Sequence, residues 1–224
     1  MWISTATWIS DRKLIFCRCP KSNFNLRLSR NSYTCIHNFV ELITRNLKIR
    51  HQLARNAQKL FLNFGESHHI FAGIGENFPL LDELSITQQT IKFIEKENFI
   101  DLFLLEKLDL TGNEIELLPQ NVFEDLRNLK ILKISNNRIR KISEQMFFNL
   151  KQLRVLMLQN NKISHLPENL LEKNTQMIEL YVWGNSFDNK NVVFPKLSNM
   201  NFHRDSGDEY FKGSMKLSSK IIYV

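Results

Sequence analysis

The chain has 224 residues, of which 43% are hydrophobic and 24% are charged, and this composition is typical of a folded protein. Its seven glycines and five prolines exclude a collagen-like or long flexible segment. No apolar run approaches the roughly 20 residues that span a bilayer, so we expect no transmembrane segment. Residues 1–60 carry 11 Lys and Arg against two Asp and Glu, whereas the rest of the chain carries 19 Lys and Arg against 21 Asp and Glu. The net charge of +7 therefore arises in residues 1–60.

Residues 1–56 are predicted to form an irregular, basic N-terminal region. The apolar start of the chain is interrupted by Asp11, Arg12 and Lys13, so we expect no secretory signal there. A short helix is predicted in the basic segment 45–59, whose charge could attract nucleic acid, anionic lipid or sulfated polysaccharide. Such charge runs are more often solvated faces, so we do not expect a nucleic-acid partner.

The cysteines of the chain all precede residue 57, at Cys17, Cys19 and Cys35. Together with His37 they have the ligand types of a structural zinc site, although the C-x-C spacing is tighter than the usual C-x₂-C. The alternative is three unpaired thiols in a reducing compartment. Of these two interpretations the zinc site is the less favoured, and we expect no bound metal at the cysteines.

A pattern with the form L-x-x-L-x-L-x-x-N-x-I recurs every 24 residues through the middle of the chain. It begins at Leu105, Leu129, Leu153 and Met177. A further copy begins at Leu81, with Gln89 in place of the asparagine, so residues 81–187 form the firm part of the array. Residues 57–80 match weakly, and we place the whole repeat region at 57–197 and a C-terminal tail at 198–224. Such a register predicts a solenoid, in which each coil buries its apolar edge against its neighbours.

The apolar pair in each L-x-L step is two residues apart, so both side chains face inward from a short strand. Strands of successive coils then stack as a parallel sheet. An asparagine recurs where the chain turns out of the sheet, and its amide can bond to the backbone groups left unpaired there. We predict that these asparagines form a structural ladder: Asn113, Asn137, Asn161 and Asn185.

These residues resemble the leucine-rich repeat family, in the form that carries L-P and a later F-x-x-L at 24-residue spacing. The resemblance implies an α/β-type solenoid, a horseshoe with short parallel strands on its concave face and an irregular or short helical convex side. That form is common in extracellular receptors and matrix proteins, which implies an extracellular or cell-surface location and a receptor-like role. The missing signal and the absence of any N-x-S/T site favour the alternative, a cytoplasmic scaffold or regulatory subunit.

The same resemblance gives the cysteines a third interpretation. A C-x-C followed by a single cysteine is similar to the N-terminal cap of extracellular members of the family, which implies a disulfide between Cys17 and Cys35. That cap usually has four cysteines, so Cys19 would lack a partner here. The departure puts the cap in doubt, or indicates that the start of the chain is incomplete.

The variable strand positions are predicted to face the concave side and to bind a partner protein. They change from charged to apolar and aromatic along the solenoid, and the candidates are Asp109, Lys133, Val155, Met157, Gln159, Tyr181 and Trp183. Exposed aromatic and Met side chains are typical of protein-binding hot spots. Tyr181 and Trp183 lie in the last clear repeat, so a capping role is the alternative.

No enzyme signature appears in the sequence. There is no P-loop, and Gly73 and Gly75 lack the third glycine of a phosphate-binding loop. His68, His69 and His165 have no metal-ligand spacing. We therefore expect a non-enzymatic module that binds another protein, with no cofactor and no small-molecule substrate.

Overall fold

A computed structural model describes part of the chain. The described residues are 58–63, 68–70, 72–187, 201–204 and 221–223, together with four short strands before residue 37. Those four strands are β1 (Ala6–Thr7), β2 (Phe16–Cys17), β3 (Asn25–Ser29) and β4 (Ser32–Ile36). They form two antiparallel pairs, β1 with β2 and β3 with β4, and β4 lies against the first strand of the main sheet.

The main sheet has eight parallel strands in chain order. They are β5 (Lys59–Asn63), β6 (Glu83–Thr87), β7 (Lys107–Asp109), β8 (Ile131–Lys133), β9 (Val155–Met157), β10 (Glu179–Tyr181), β11 (Asn201–Arg204) and β12 (Ile221–Tyr223). From β5 to β10 each residue pairs with the one 24 positions later, as Leu60 does with Leu84 and Leu84 with Leu108. The register of the sheet is therefore the register of the sequence repeat.

The core lies behind this sheet. The middle residue of each of the strands β7 to β10 is buried, while the residues on either side face outward, as the two-residue period of a strand requires. Behind them the aromatic rings of Phe99, Phe123 and Phe147 pack in a column, with centroids 5.9 Å and 6.3 Å apart. Each coil thus buries its apolar edge against its neighbours.

The asparagine of each coil bonds to the backbone of its own coil and of the preceding one. The Asn137 Nδ2 donates to the carbonyls of Leu110 (3.0 Å) and Ile134 (3.2 Å), and its Oδ1 accepts the N–H of Ile115 (3.0 Å). Asn161 and Asn185 repeat this pattern. These amides satisfy backbone groups where the chain leaves the sheet, which stabilises the turn.

The residue before each ladder position adopts the left-handed conformation. The φ values are 54° at Gln88, 73° at Gly112, 53° at Asn136, 55° at Asn160 and 65° at Gly184. Glycine and asparagine tolerate this conformation best, so the residue types suit the turn everywhere except at Gln88.

The convex side consists of turns with little helix. A four-residue helix, α1, spans Ile74–Asn77, and a 3₁₀ turn spans Lys96–Asn98. The predicted fold class, a solenoid with short parallel strands and an irregular or short helical convex side, is confirmed.

The two ends of the repeat region show how far the sheet continues. Strand β5 lies within the weakly matching segment 57–80 and pairs with β6 in register. Strands β11 and β12 lie in the segment 198–224, the predicted tail, and β11 pairs with β10 through Tyr181 and His203. The sheet therefore extends beyond the last clear repeat, and the predicted domain boundaries stay predictions.

Candidate functional site

The outward-facing residues of the sheet form columns that run along the solenoid axis. Neighbouring strands of a sheet are about 4.8 Å apart, so side chains in one column contact their neighbours in the next coil. One column holds the central outward residues, with Phe61 on the first strand and Met157 and Tyr181 on the neighbouring strands β9 and β10. All seven predicted partner-binding residues lie on this surface and none is fully buried.

Two of the predicted site residues contact each other. Asp109 and Lys133 pair across strands β7 and β8, and the Lys133 Nζ lies 3.6 Å from the Asp109 Oδ2. Since each charge already has a partner within the sheet, this pair is less available for a ligand than its position alone indicates.

Four further predicted residues form one patch, which we call the aromatic patch: Val155, Met157, Tyr181 and Trp183. Met157 pairs with Tyr181 and Val155 with Glu179 in the register of β9 and β10. The backbone ladder continues past the strands, because Asn160 N–H donates to the Trp183 carbonyl at 2.8 Å. This continuation places Gln159 beside Trp183.

Tyr181 is held in place by its neighbour on the same face. Its hydroxyl donates to the Glu179 Oε2 at 2.8 Å. Burial, and then the hydrogen bond to Glu179 and its negative charge, raise the pKa of Tyr181 to about 12 from the usual 10.0. The phenol is therefore neutral at physiological pH and presents an oriented ring to the concave side.

At the edge of the patch, Gln159 has a side-chain acceptor that is not satisfied. Its Oε1 is buried and has no hydrogen-bond partner among the described residues. In the preceding coils the residues of the same column satisfy each other, because the Thr111 and Ser135 hydroxyls lie 3.2 Å apart. This column therefore changes from hydroxyls that pair with each other to an acceptor without a partner in the described part of the chain where it reaches the patch.

The sequence interpretation left two neighbours of the patch outside the candidate set. Ile131 pairs with Val155 and extends the patch by one strand, and it is half-buried like its neighbour. Arg154 is exposed and directly precedes β9. The 24-residue register places Ile131 in the column of Val155, so this signal could have found it.

Ion pairs across successive coils occupy the other half of the concave face. Glu83 on β6 pairs with Lys59 at 2.8 Å and with Lys107 at 3.9 Å. Glu106 and Lys130, which directly precede strands β7 and β8, pair between coils at 2.6 Å. Most cations of this half are therefore paired between coils, and its acidic residues are in excess.

The predicted disulfide between Cys17 and Cys35 depends on side chains that lie outside the described residues, as does the zinc alternative with Cys19 and His37. Within the described part of the chain no group of three or more His, Cys, Asp or Glu could hold a metal ion. No helix in that same part is long and apolar enough to cross a membrane.

The family-model comparison agrees with this geometry. Residues 79–139, 103–163 and 127–187 each match the model described as "Leucine rich repeat". This segment belongs to the leucine-rich repeat family. No curated protein matches the chain. Leucine-rich repeats generally mediate contacts between proteins, and the family is in general a non-enzymatic scaffold.

Proposed function

We propose that this leucine-rich repeat chain binds a partner protein through the C-terminal half of its concave face, with the aromatic patch as the anchor. The observation that carries the proposal is the register of β9 and β10, which brings Met157 and Tyr181 side by side with Val155 and Trp183 adjacent. Binding energy in protein interfaces concentrates in such aromatic and Met clusters. The parallel sheet holds these residues in a fixed arrangement, which reduces the entropy lost on binding.

A capping role for Tyr181 and Trp183 is the competing interpretation. Strand β11 pairs with β10 through backbone hydrogen bonds, so the edge of β10 that faces away from β9 is already covered by a strand. This pairing favours an outward, ligand-facing role for the patch.

Affinity measurements with matched variants test the proposal. The partner is isolated on immobilised wild-type protein, identified and purified, and its Kd is measured by calorimetry. We expect Trp183→Ala and Met157→Ala each to weaken binding about tenfold or more, because hot-spot truncations typically cost about 2 kcal/mol or more. Phe61→Ala is the matched control, since Phe61 occupies the same column as Met157 at the other end of the sheet.

The outcome also separates binding from capping. If the patch binds the partner, the melting temperatures of the Trp183 and Met157 variants stay close to that of the wild type. A large loss of stability with unchanged affinity would favour capping, and equal effects at Phe61 and Met157 would contradict the proposed location.

We place this binding outside the cell or at its surface, in a receptor-like signalling role. The family form supports this, together with the antiparallel β3–β4 hairpin that lies against β5 and carries Cys35. Alkylation of the native protein followed by mass spectrometry tests it. We expect Cys17 and Cys35 to be disulfide-bonded, whereas three free thiols would favour the intracellular scaffold or regulatory subunit.

A further inference from the structure

Charge is divided sharply along the repeat array. Residues 58–130 carry six Lys and Arg against 13 Asp and Glu, a formal net charge of −7. Residues 131–187 carry eight against four, a net charge of +4. The aromatic patch lies in the basic part.

Most cations of the acidic part form ion pairs with residues of a neighbouring coil, as in Lys59–Glu83 and Lys130–Glu106. Cations of the basic part form fewer such pairs. Residues 131–187 are fully described, and the sole ion pair with both members inside that range is Lys173–Glu172, on neighbouring residues. Cations in this part therefore outnumber the acids that could neutralise them.

Four of these cations form a group that we call the lateral cluster: Arg138, Arg140, Lys141 and Lys162. All four are exposed. Arg138 pairs with Glu114 of the preceding coil at 2.9 Å, whereas Arg140, Lys141 and Lys162 have no ion-pair partner within the described residues. The backbone stacks the coils here, because Arg138 N–H donates to the Ile115 carbonyl and Lys162 N–H to the Ile139 carbonyl.

The lateral cluster adjoins the aromatic patch. Lys162 follows Gln159 by three residues, so their Cα atoms are at most about 11 Å apart. Arg138 occupies the position of Lys162 one coil earlier, so the two residues are neighbours in the same column. On the other side of the patch, exposed Arg154 directly precedes β9. The nearest acids reduce this charge without cancelling it, because Glu114 and Glu116 of the preceding coil are two carboxylates beside four cations. Glu144 and Glu168 lie in the convex turns, and Glu179 already accepts the Tyr181 hydroxyl.

We propose that the partner segment held by the aromatic patch carries an acidic stretch beside its apolar anchor, and that this stretch lies over the lateral cluster. The inference rests on the proposed function and adds the chemical class of the partner. Complementary charge beside an apolar anchor speeds association and fixes the direction of the bound segment. The acidic part of the array, with its net charge of −7, repels the same stretch and so excludes the opposite direction.

A displayed library of random 12-residue peptides tests the proposal with a defined probe. The library is selected separately on the wild type, on Trp183→Ala and on the double variant Arg140→Gln/Lys141→Gln. We expect wild-type selections to be enriched in peptides that combine an aromatic or aliphatic core with adjacent Asp or Glu. The double variant should lose the acidic enrichment and keep the apolar core.

The matched control is Arg127→Gln/Lys151→Gln, which removes two exposed cations at equivalent positions of successive coils, away from the lateral cluster. A selected peptide is then synthesised and its Kd measured by fluorescence anisotropy. We expect Arg140→Gln/Lys141→Gln to weaken binding about tenfold at low salt, the control to change it less than about twofold, and added salt to reduce the difference.

The outcomes distinguish the two proposals. Peptides that depend on Trp183 but show no acidic enrichment would overturn the acidic-partner inference and leave the proposed function standing. Selections that are unchanged by Trp183→Ala would contradict the proposed function itself. Binding that requires the lateral cluster but not Trp183 would indicate a general polyanion site, such as one for nucleic acid or sulfated polysaccharide, and would also overturn the inference.

Discussion

The N-terminal and C-terminal halves of the repeat array have the same scaffold and different surfaces. Both halves stack coils at a spacing of 24 residues and bury the same columns of Leu and Ile. In residues 58–130 the concave face carries charges that pair between coils, whereas in residues 131–187 it carries apolar and aromatic side chains beside unpaired cations. The difference shows that the scaffold leaves the outward columns free to vary, so function is to be sought where their composition changes.

The largest expected difference between the halves concerns the asparagine ladder. Asn161 in the C-terminal half donates to Ile134 and Leu158 and accepts from Ile139. Among the described residues, the Gln89 side chain makes a single hydrogen bond, a donation to the Leu62 carbonyl at 3.1 Å. Each buried backbone group left unsatisfied costs about 1–3 kcal/mol. We expect Asn161→Ala to lower the free energy of unfolding by about 3 kcal/mol or more.

The matched substitution Gln89→Ala should cost only about 1 kcal/mol, because one hydrogen bond is lost there. Urea denaturation followed by circular dichroism measures both variants. Equal losses at the two positions would show that the side-chain bonds do not determine the stability of the turn.

The second difference is a pH dependence of the free energy of unfolding, which Tyr181 gives to the C-terminal half. Its pKa is raised to about 12, so its contribution to stability is complete below pH 10 and is lost as pH rises toward 12. We expect a loss on the order of 1–2 kcal/mol over that interval, allowing for solvent screening of a partly exposed group. Tyr181→Phe should remove this dependence.

Glu179→Gln provides a finer test of the same residue. It removes a negative charge, so the pKa of Tyr181 should fall, but it should stay above 10.0 because burial is the largest cause of the shift. Ultraviolet difference titration against Tyr181→Phe gives the value. A pKa unchanged by Glu179→Gln would contradict the hydrogen bond between the two side chains.

The left-handed turn positions give a smaller expected effect with the opposite sign. Gln88 has a φ of 54° in the N-terminal half, where Asn136 has 53° in the C-terminal half. A side chain with a Cβ is strained in this conformation by about 1–2 kcal/mol, and asparagine tolerates it better. We expect Gln88→Gly to stabilise the protein by about 1 kcal/mol and Asn136→Gly to change stability little, as measured by thermal unfolding. A destabilised Gln88→Gly protein would contradict the strain.

The smallest expected effect concerns the ion pairs. Glu83→Gln breaks the contacts with Lys59 and Lys107 and should lower stability by about 0.5–1 kcal/mol at low salt, less at high salt. Glu83 also raises the pKa of Lys59 through a hydrogen bond, so the variant should lower that pKa. Glu168→Gln is the control, because Glu168 is exposed in a convex turn. An equal loss in both variants would argue against pairing between coils.

The sequence predicts most of the fold because its signals are periodic. The 24-residue register predicts the strands β6 to β10, their parallel order and the inward columns, and the structure has all three. It does not predict β11 and β12, because their spacing from β10 departs from 24 and they lack the repeat residues.

The candidate site is less predictable because it depends on which side chains meet. The sequence places Asp109 and Lys133 on the concave face, but their ion pair follows from the register of two strands. It gives no sign that the Gln159 Oε1 is unsatisfied, since that depends on the atoms around it. The composition of the outward columns, by contrast, follows directly from the 24-residue register of the sequence, and it indicates the aromatic patch.

Site-specific photo-crosslinking tests the central claim most directly. A photoreactive phenylalanine analogue replaces Met157 in one sample and Phe61 in another, so that both probes lie in the same outward column of the sheet. With the purified partner bound, we predict crosslinks from position 157 and few from position 61, and mass spectrometry should map the adduct to an apolar partner segment beside acidic residues. Crosslinks from position 61 alone, or equally from both, would contradict binding at the C-terminal half of the concave face.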